Sequence, residues 1–540
     1  MATRSSLKTP LPTTFFALLF SLFIFLSPSL ADDDFTFSPC NLTPHPTFCT
    51  ATLPSHNILS VHDQCRFFLN QSLAITKTVL ELVSSYLRDR RMIIPVSTFH
   101  AIEDCVNFAE LNIDFLSIVL GDPERTAANS FQNHHSDTQT LLSAVLTNLQ
   151  TCIDGFHEVT PYPRITGELS SVLTNAYKLY SVSLALFTQG WVKTPARTNE
   201  EDKQTTKMNR KLLQRDLDGD QVLVVREKVV VNPNGSGDFT TINDAVDAAP
   251  NNTGTNNGYH VIYVVAGIYN EYVSLSKYKQ NVMIVGDGIN HTVITGNRSV
   301  GDGWTTFQSA TFAVVGKGFV AVNITFRNTA GSTKHQAVAV RNGADMSTFY
   351  TCSFEGYQDT LYTHSLRQFY KNYNIYGTVD FIFGNAATLF QDCNIFPRLP
   401  MKNQFNAITA QGRTGRNQNT GISIQNSWIV GDNNGNYSSV ETYLGRPWKE
   451  YSRTVYAQCF MDGIVDGKGW VEWNEDFALR TLYYAEFANW GPGSNITNRV
   501  TWEGYHLVDE DDADGFTVYN FIQGDSWLPK TGVPFKAGLF

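Results

Sequence analysis

The chain has 540 residues and a formal net charge of −10, so at least two domains are expected and nucleic acid is excluded as a natural partner. Its 38 glycines, 13% aromatic content and lack of long charge runs read as folded protein, not disorder. In chain order, Arg4 and Lys8 precede an apolar run from Phe15 to Leu26, followed by Ser29-Leu30-Ala31 and the acidic Asp32-Asp33-Asp34. This is the pattern of a secretory signal, residues 1–31, and the apolar run is shorter than the roughly 20 residues a membrane anchor needs. Asn-x-Ser/Thr sequons at Asn41, Asn70, Asn251, Asn290, Asn323, Asn436 and Asn495 fit a secreted glycoprotein.

From about residue 36 to 190 the texture is helical. Leu69, Leu73, Val79, Val83 and Leu87 recur at helical spacing, as do Leu142, Val145, Leu146 and Leu149, and an antiparallel bundle is the simplest arrangement. Five cysteines fall here, Cys40, Cys49, Cys65, Cys105 and Cys152, which predicts two disulfides and one free thiol in a secreted chain. The polar stretch from Arg197 to Gln214 reads as a linker, with Arg210-Lys211-Leu212-Leu213 open to a processing protease. Beyond Gln221 short β-rich runs take over, including Val261–Val265, Val282–Val285, Phe312–Val315 and Val322–Phe326, punctuated by Gly and Asn. A rhythm of roughly 20 residues favours a parallel β-helix over a barrel or sandwich.

Three segments within that rhythm carry the chemistry: Gln336-Ala-Val-Ala-Val340, Gly356-Tyr-Gln-Asp-Thr360 and Thr378-Val-Asp-Phe-Ile-Phe-Gly384. Gln336 lies 23 residues before Asp359, and Asp359 lies 21 before Asp380. Coils stacked about 4.8 Å apart would bring two carboxylates and the amides of Gln336 and Gln358 to one face, a constellation suited to acyl transfer. His364 invites a role as a base, but a structural histidine is the simpler reading.

At these residues the chain resembles the plant pectin methylesterases that carry an inhibitor-like pro-region. The likeness runs through Gly267-Ile-Tyr-Asn-Glu271, Thr306-Phe307, Gln336–Val340, Tyr357-Gln-Asp-Thr-Leu361, Asp380–Gly384 and Leu444-Gly-Arg-Pro-Trp448. The N-terminal half is similar to the inhibitor domain through Cys40 and Cys49, Asp104-Cys105, Leu142-Ser143-Ala144 and Thr151-Cys152-Ile-Asp-Gly-Phe156. The resemblance implies an inhibitor-like four-helix up-down bundle with a helical hairpin at 32–195, a linker at 196–213 and a catalytic right-handed parallel β-helix at 214–540. It further implies disulfides drawn from Cys40, Cys49, Cys105 and Cys152, and a basic processing motif at Arg210-Lys211-Leu212-Leu213.

For the reaction, the resemblance implies hydrolysis of galacturonate methyl esters in pectin, with no cofactor and no metal. Asp380 would be the nucleophile, Asp359 the general acid and then base, and Gln336 and Gln358 the donors to the oxyanion, with Arg446 keeping Asp380 ionised. Thr306, Gln336, Arg446 and Trp448 would bind substrate. Implied partners are pectin, the chain's own inhibitor-like half, separate inhibitor proteins and a subtilisin-like processing protease, in the cell wall.

The chain departs from that family at Tyr373 and Ser427, where paired cysteines are common, leaving Cys352, Cys393 and Cys459 as an odd set. Asn234 and Gly415-Arg416 also replace common residues. From Gln214 onward 24 Lys and Arg face 31 Asp and Glu, so charge alone should hold this half weakly to a polyanionic wall. A pectate lyase or polygalacturonase on the same architecture fits the Gln-Gln-Asp-Asp-Arg set less well than an esterase. A non-catalytic pectin-binding β-helix is disfavoured because the whole set is present. No Gly-x-Ser-x-Gly elbow supports serine chemistry.

Overall fold

The computed structural model describes residues 38–54, 60–89, 94–121, 132–159, 163–192, 223–254 and 257–540, four positions between 433 and 438 excepted. The expected signal at 1–31 and the processing motif Arg210-Lys211-Leu212-Leu213 lie outside the described residues. Short helix α1 (Pro46–Thr52) is followed by the four long helices α2 (Val61–Arg88), α3 (Val96–Gly121), α4 (Gln132–Glu158) and α5 (Pro163–Trp191), which pack as a bundle. Of the positions expected to face its core, Leu69, Val79 and Val83 on α2 and Leu142, Val145, Leu146 and Leu149 on α4 are buried. Leu73 and Leu87 pack at its edge. Disulfides join Cys40 to Cys49 and Cys105 to Cys152, while Cys65 is a buried free thiol. The second bridge ties α3 to α4 close to the face that meets the other half. Among the described residues, no helix is long and apolar enough to cross a membrane.

From Val225 the chain winds into a right-handed parallel β-helix of three sheets, with eleven, eight and seven strands, in which every strand pairs in parallel with its counterparts in neighbouring coils. Side chains that point inward stack rung upon rung. The rings of Phe349, Tyr370 and Phe390 lie 5.2 and 4.7 Å apart in one such stack. This core is separate from that of the helical bundle. The open first coil is covered by a seven-residue helix, Ile242–Ala248, which buries Ile242, Ala245 and Val246. Glu271 fixes that helix by accepting from the Ile242 and Asn243 N–H groups at 3.0 Å each, a structural reason for the acidic end of the Gly267–Glu271 segment.

The run Val322-Asn-Ile-Thr-Phe326, read as one strand in the sequence, is two strands meeting at a corner. Asn323 sits at φ 60° between Val320–Val322 and Thr325–Asn328. The same left-handed corner recurs at Thr351, Asn372, Asp392, Asn426, Gln458 and Ala488. The inward residues after the first six of these corners form a ladder, Ile324, Cys352, Tyr373, Cys393, Ser427 and Cys459, aligned by the strand register. Tyr373 and Ser427 therefore separate the three thiols, and all three remain free and buried.

Candidate active site

Leu361 pairs with Ile382, so Asp359 and Asp380 share one rung of adjacent coils, and the Asp359 N–H donates to the Val379 carbonyl at 3.1 Å. Both aspartates have left-handed backbones, φ 62° and 52°, a strained conformation for a side chain of their kind. Asp380 also lies in a bulge, since Val379 and Ile382 pair with Ala407 and Thr409, which re-aims its carboxylate outward. Gln336 stands two residues off this rung: Val340 pairs with Leu361, and Ala337 N–H donates to the Gln358 carbonyl at 3.2 Å.

These residues line a cavity of about 350 Å³ together with Thr306, Phe307, Tyr362, Phe383, Arg446, Trp448 and Trp473. Arg446 grips Asp380 with a fork, Nε to Oδ1 at 2.8 Å and Nη2 to Oδ2 at 2.7 Å, and its guanidinium lies 4.2 Å from the Trp473 ring centre. Among the described residues the side-chain amides of Gln336 and Gln358 make no hydrogen bond, so their N–H groups are free to donate into the cavity. Trp448 closes one wall against Phe383 and Tyr362. Its indole lies so near the chain that a Cβ on Gly412 would meet it at 2.7 Å, which reserves that position for glycine.

Burial pushes the carboxyls of both aspartates above the ordinary carboxylate range. For Asp359 the rise is large, because the charges of Asp380 and Glu158 add to it and Arg446 only partly offsets them. For Asp380 the Arg446 fork opposes burial directly. Burial and like charge therefore favour a proton on Asp359 more strongly than on Asp380, where the Arg446 fork works the other way.

The sequence-predicted residues Gln336, Gln358, Asp359, Asp380, Arg446, Thr306 and Trp448 converge here. The helical half converges with them. Thr151, Asp154, Gly155, His157 and Glu158 of α4 line the same cavity, where Glu158 accepts from the Thr306 N–H at 2.9 Å and Asp154 from Lys449 at 2.7 Å. On α3, Asp104 accepts from Thr305 and Gln308 at 2.8 Å each, and His100 stacks on Trp304 at 4.4 Å. His364 is buried against Phe108 and Phe307, and burial lowers its pKa to about 3, so it is neutral. Sequence reading did not single out Asp154, Glu158, Tyr362 or Trp473. Asp154 and Tyr362 lie inside or beside motifs it quoted, but only the three-dimensional contact between halves gives them a place.

The pectinesterase family model matches residues 228–525, and the plant invertase/pectin methylesterase inhibitor model matches 37–186. A protein of Arabidopsis thaliana, probable pectinesterase/pectinesterase inhibitor 41, is 50% identical, the alignment covering 93% of this chain and 94% of that one. Pectinesterase 2 of Citrus sinensis is 44% identical, with 95% and 97% covered. The solved structure of pectin methylesterase from carrot is 52% identical with a TM-score of 0.57, and it covers 58% of this chain and 98% of its own. That solved chain thus corresponds to little more than half of this one. The chain belongs to the pectinesterase family, and its N-terminal half belongs to the inhibitor family of the same esterases.

Proposed function

We propose that the chain hydrolyses methyl esters of galacturonate units in pectin, releasing methanol and leaving pectate. Asp380 attacks the ester carbonyl carbon, and Gln336 and Gln358 donate to the oxygen as it gains negative charge. Asp359 gives its proton to the departing methoxide, which leaves as methanol and an acyl anhydride on Asp380. Asp359, now a carboxylate, takes a proton from water as the water attacks the anhydride, and both aspartates return to their starting states. The observation that carries this reading is the Arg446 fork on Asp380 beside an Asp359 that pairs with no cation among the described residues.

The helical half is an inhibitor of its own esterase in this reading, because Glu158 and Asp154 occupy the cavity that an ester group must enter. Cleavage at Arg210-Lys211-Leu212-Leu213 by a subtilisin-like protease would release it after secretion to the cell wall. The test places a specific protease site within 196–213 and measures methanol release from highly methylated pectin before and after cutting and separating the halves. Methanol from the separated β-helix half, its absence with Asp380→Asn and its absence from the uncut chain are expected. A folded, separated β-helix half that releases no methanol would overturn the esterase assignment.

A further inference from the structure

The face that α4 turns to the β-helix is a polar stripe at helical spacing, Thr140, Ser143, Thr147, Thr151, Asp154 and Glu158, about 27 Å long at 1.5 Å per residue. At these positions α4 accepts from the β-helix, whereas at the near end of the same helix Gln139 donates to the Asn417 carbonyl at 3.0 Å and Ser136 to Gln523 at 2.6 Å. Thr147 and Thr151 spend their own hydroxyl protons on the carbonyls of Ser143 and Thr147, at 3.0 Å each. Their oxygens then face Asn385 Nδ2 at 2.8 Å and His364 Nε2 at 3.0 Å, where an Nε2–H histidine would donate as Asn385 does. Gln418 Nε2 donates to the Ser143 carbonyl at 3.0 Å, and Asn419 Nδ2 to Thr140 at 2.9 Å.

The decisive detail is what aims these donors. Gln418 Oε1 is held inside the β-helix by Thr414 N, Thr414 Oγ1 and Gly415 N at 3.0 to 3.1 Å, which forces its NH2 outward. Asn385 Oδ1 accepts from Thr420 Oγ1 at 2.5 Å and from Gln411 Nε2 at 3.0 Å. Gln411 is itself locked by the backbone N–H groups of Arg413 and Arg453, at 2.9 and 2.8 Å. Neither amide depends on the helical half for its direction. Both are buried in the full chain, and their outward donors meet only α4.

We propose that Asn385, Gln418 and His364 form a row of sugar-binding subsites beyond the catalytic cavity, which takes the hydroxyl and carboxylate oxygens of a galacturonan chain. The acceptor stripe of α4 stands in for that polymer. This inference rests on the esterase reading for its substrate class. A surface built only to hold the helical half would need no such internal bracing of its amides, whereas a groove that must recognise a flexible polymer gains from donors fixed in advance.

The test uses the chain cut within 196–213 and freed of its helical half, with Gln418→Glu and Asn385→Asp. Each keeps the bonds to its side-chain oxygen and loses the outward donor. Methanol release from methylated pectin should show KM raised about tenfold or more in each variant, from the lost hydrogen bond together with the new carboxylate facing a polyanionic polymer, with a much smaller change in kcat. A short methylated oligogalacturonide that reaches only the cavity should be affected less. Calorimetric titration with de-esterified polygalacturonate gives the same comparison without turnover, so failure of the esterase reading and failure of this one are separable. Unchanged KM and unchanged polygalacturonate affinity in both folded variants, with weaker rebinding of the helical half, would overturn the proposal and leave these donors as docking residues only.

Discussion

Replacing Arg446 with lysine keeps a positive charge near Asp380 and removes the fork that fixes it. The wild-type contact is two charge-assisted bonds of 2.8 and 2.7 Å, with the guanidinium resting on Trp473. An ammonium can keep one of those bonds and has no planar face to stack. Losing one such bond is worth about 2 kcal/mol, which corresponds to roughly a 30-fold fall in kcat/KM if the fork also holds the carboxylate in its attacking position. Arg446 is the interaction that opposes the burial of Asp380, so weakening it raises the Asp380 pKa further. With the Asp380 anion as the proposed nucleophile, the acid limb of the pH profile should move to higher pH. The assay is methanol release by the freed β-helix half from pH 4 to 9, with thermal melting as the check on folding. A folded Arg446→Lys variant within threefold of wild type and with an unmoved acid limb would refute the argument that Arg446 positions and ionises Asp380.

Asp104 is buried at the contact between halves, and burial pushes its carboxyl up to about 7 against the opposing bonds from Gln308 and Thr305. A carboxyl raised on docking favours the protonated form, so docking is strongest below about pH 4, the value of a free aspartate, and weakens as pH rises through 7. Rebinding of the cut helical half, measured by calorimetry, should be at least tenfold tighter at pH 4.5 than at 7.5, and Asp104→Asn should remove most of that dependence, the remainder coming from Glu158, whose pKa burial also raises. Ser427→Cys places a thiol beside Cys393, whose N–H now donates to Ser427 Oγ at 3.1 Å. Made together with Cys459→Ser to leave one partner, it should form a disulfide and raise stability by about 1–3 kcal/mol in denaturant titrations, reversed by reductant. Ala488 is exposed at φ 47°, so Ala488→Gly should stabilise by about 0.5–1 kcal/mol, seen as a higher melting temperature; a lower one would contradict the strain assigned to that corner.

Much of the architecture was legible because its signals are periodic. The stripe on α2 and the coil spacing of Asp359 and Asp380 both survive in three dimensions, the second to the exact rung. The offset of Gln336 by two residues was visible as 23 against 21, but only register gives it meaning. What the sequence hid is long-range and polar. Nothing local marks Asn385 and Gln418, because their orientation depends on Gln411, Thr420 and Thr414 brought together by coiling. The corner at Asn323 was missed for a different reason: a β-rich run looks continuous when the one residue that bends it is flanked by strand formers.

The contact between α4 and the cleft carries hydrogen bonds and the ion pairs of Asp137 with Arg367 and Asp154 with Lys449. While one chain carries both halves, the tether between Trp191 and Val225 holds them at a fixed local concentration, and the bound fraction is the same however dilute the protein. Cutting the tether turns that equilibrium into a bimolecular one. On the proposed scheme, proteolysis would not itself switch the groove open; it would hand control to dilution, salt and competing polymer, and a cut pair kept at high concentration would stay together.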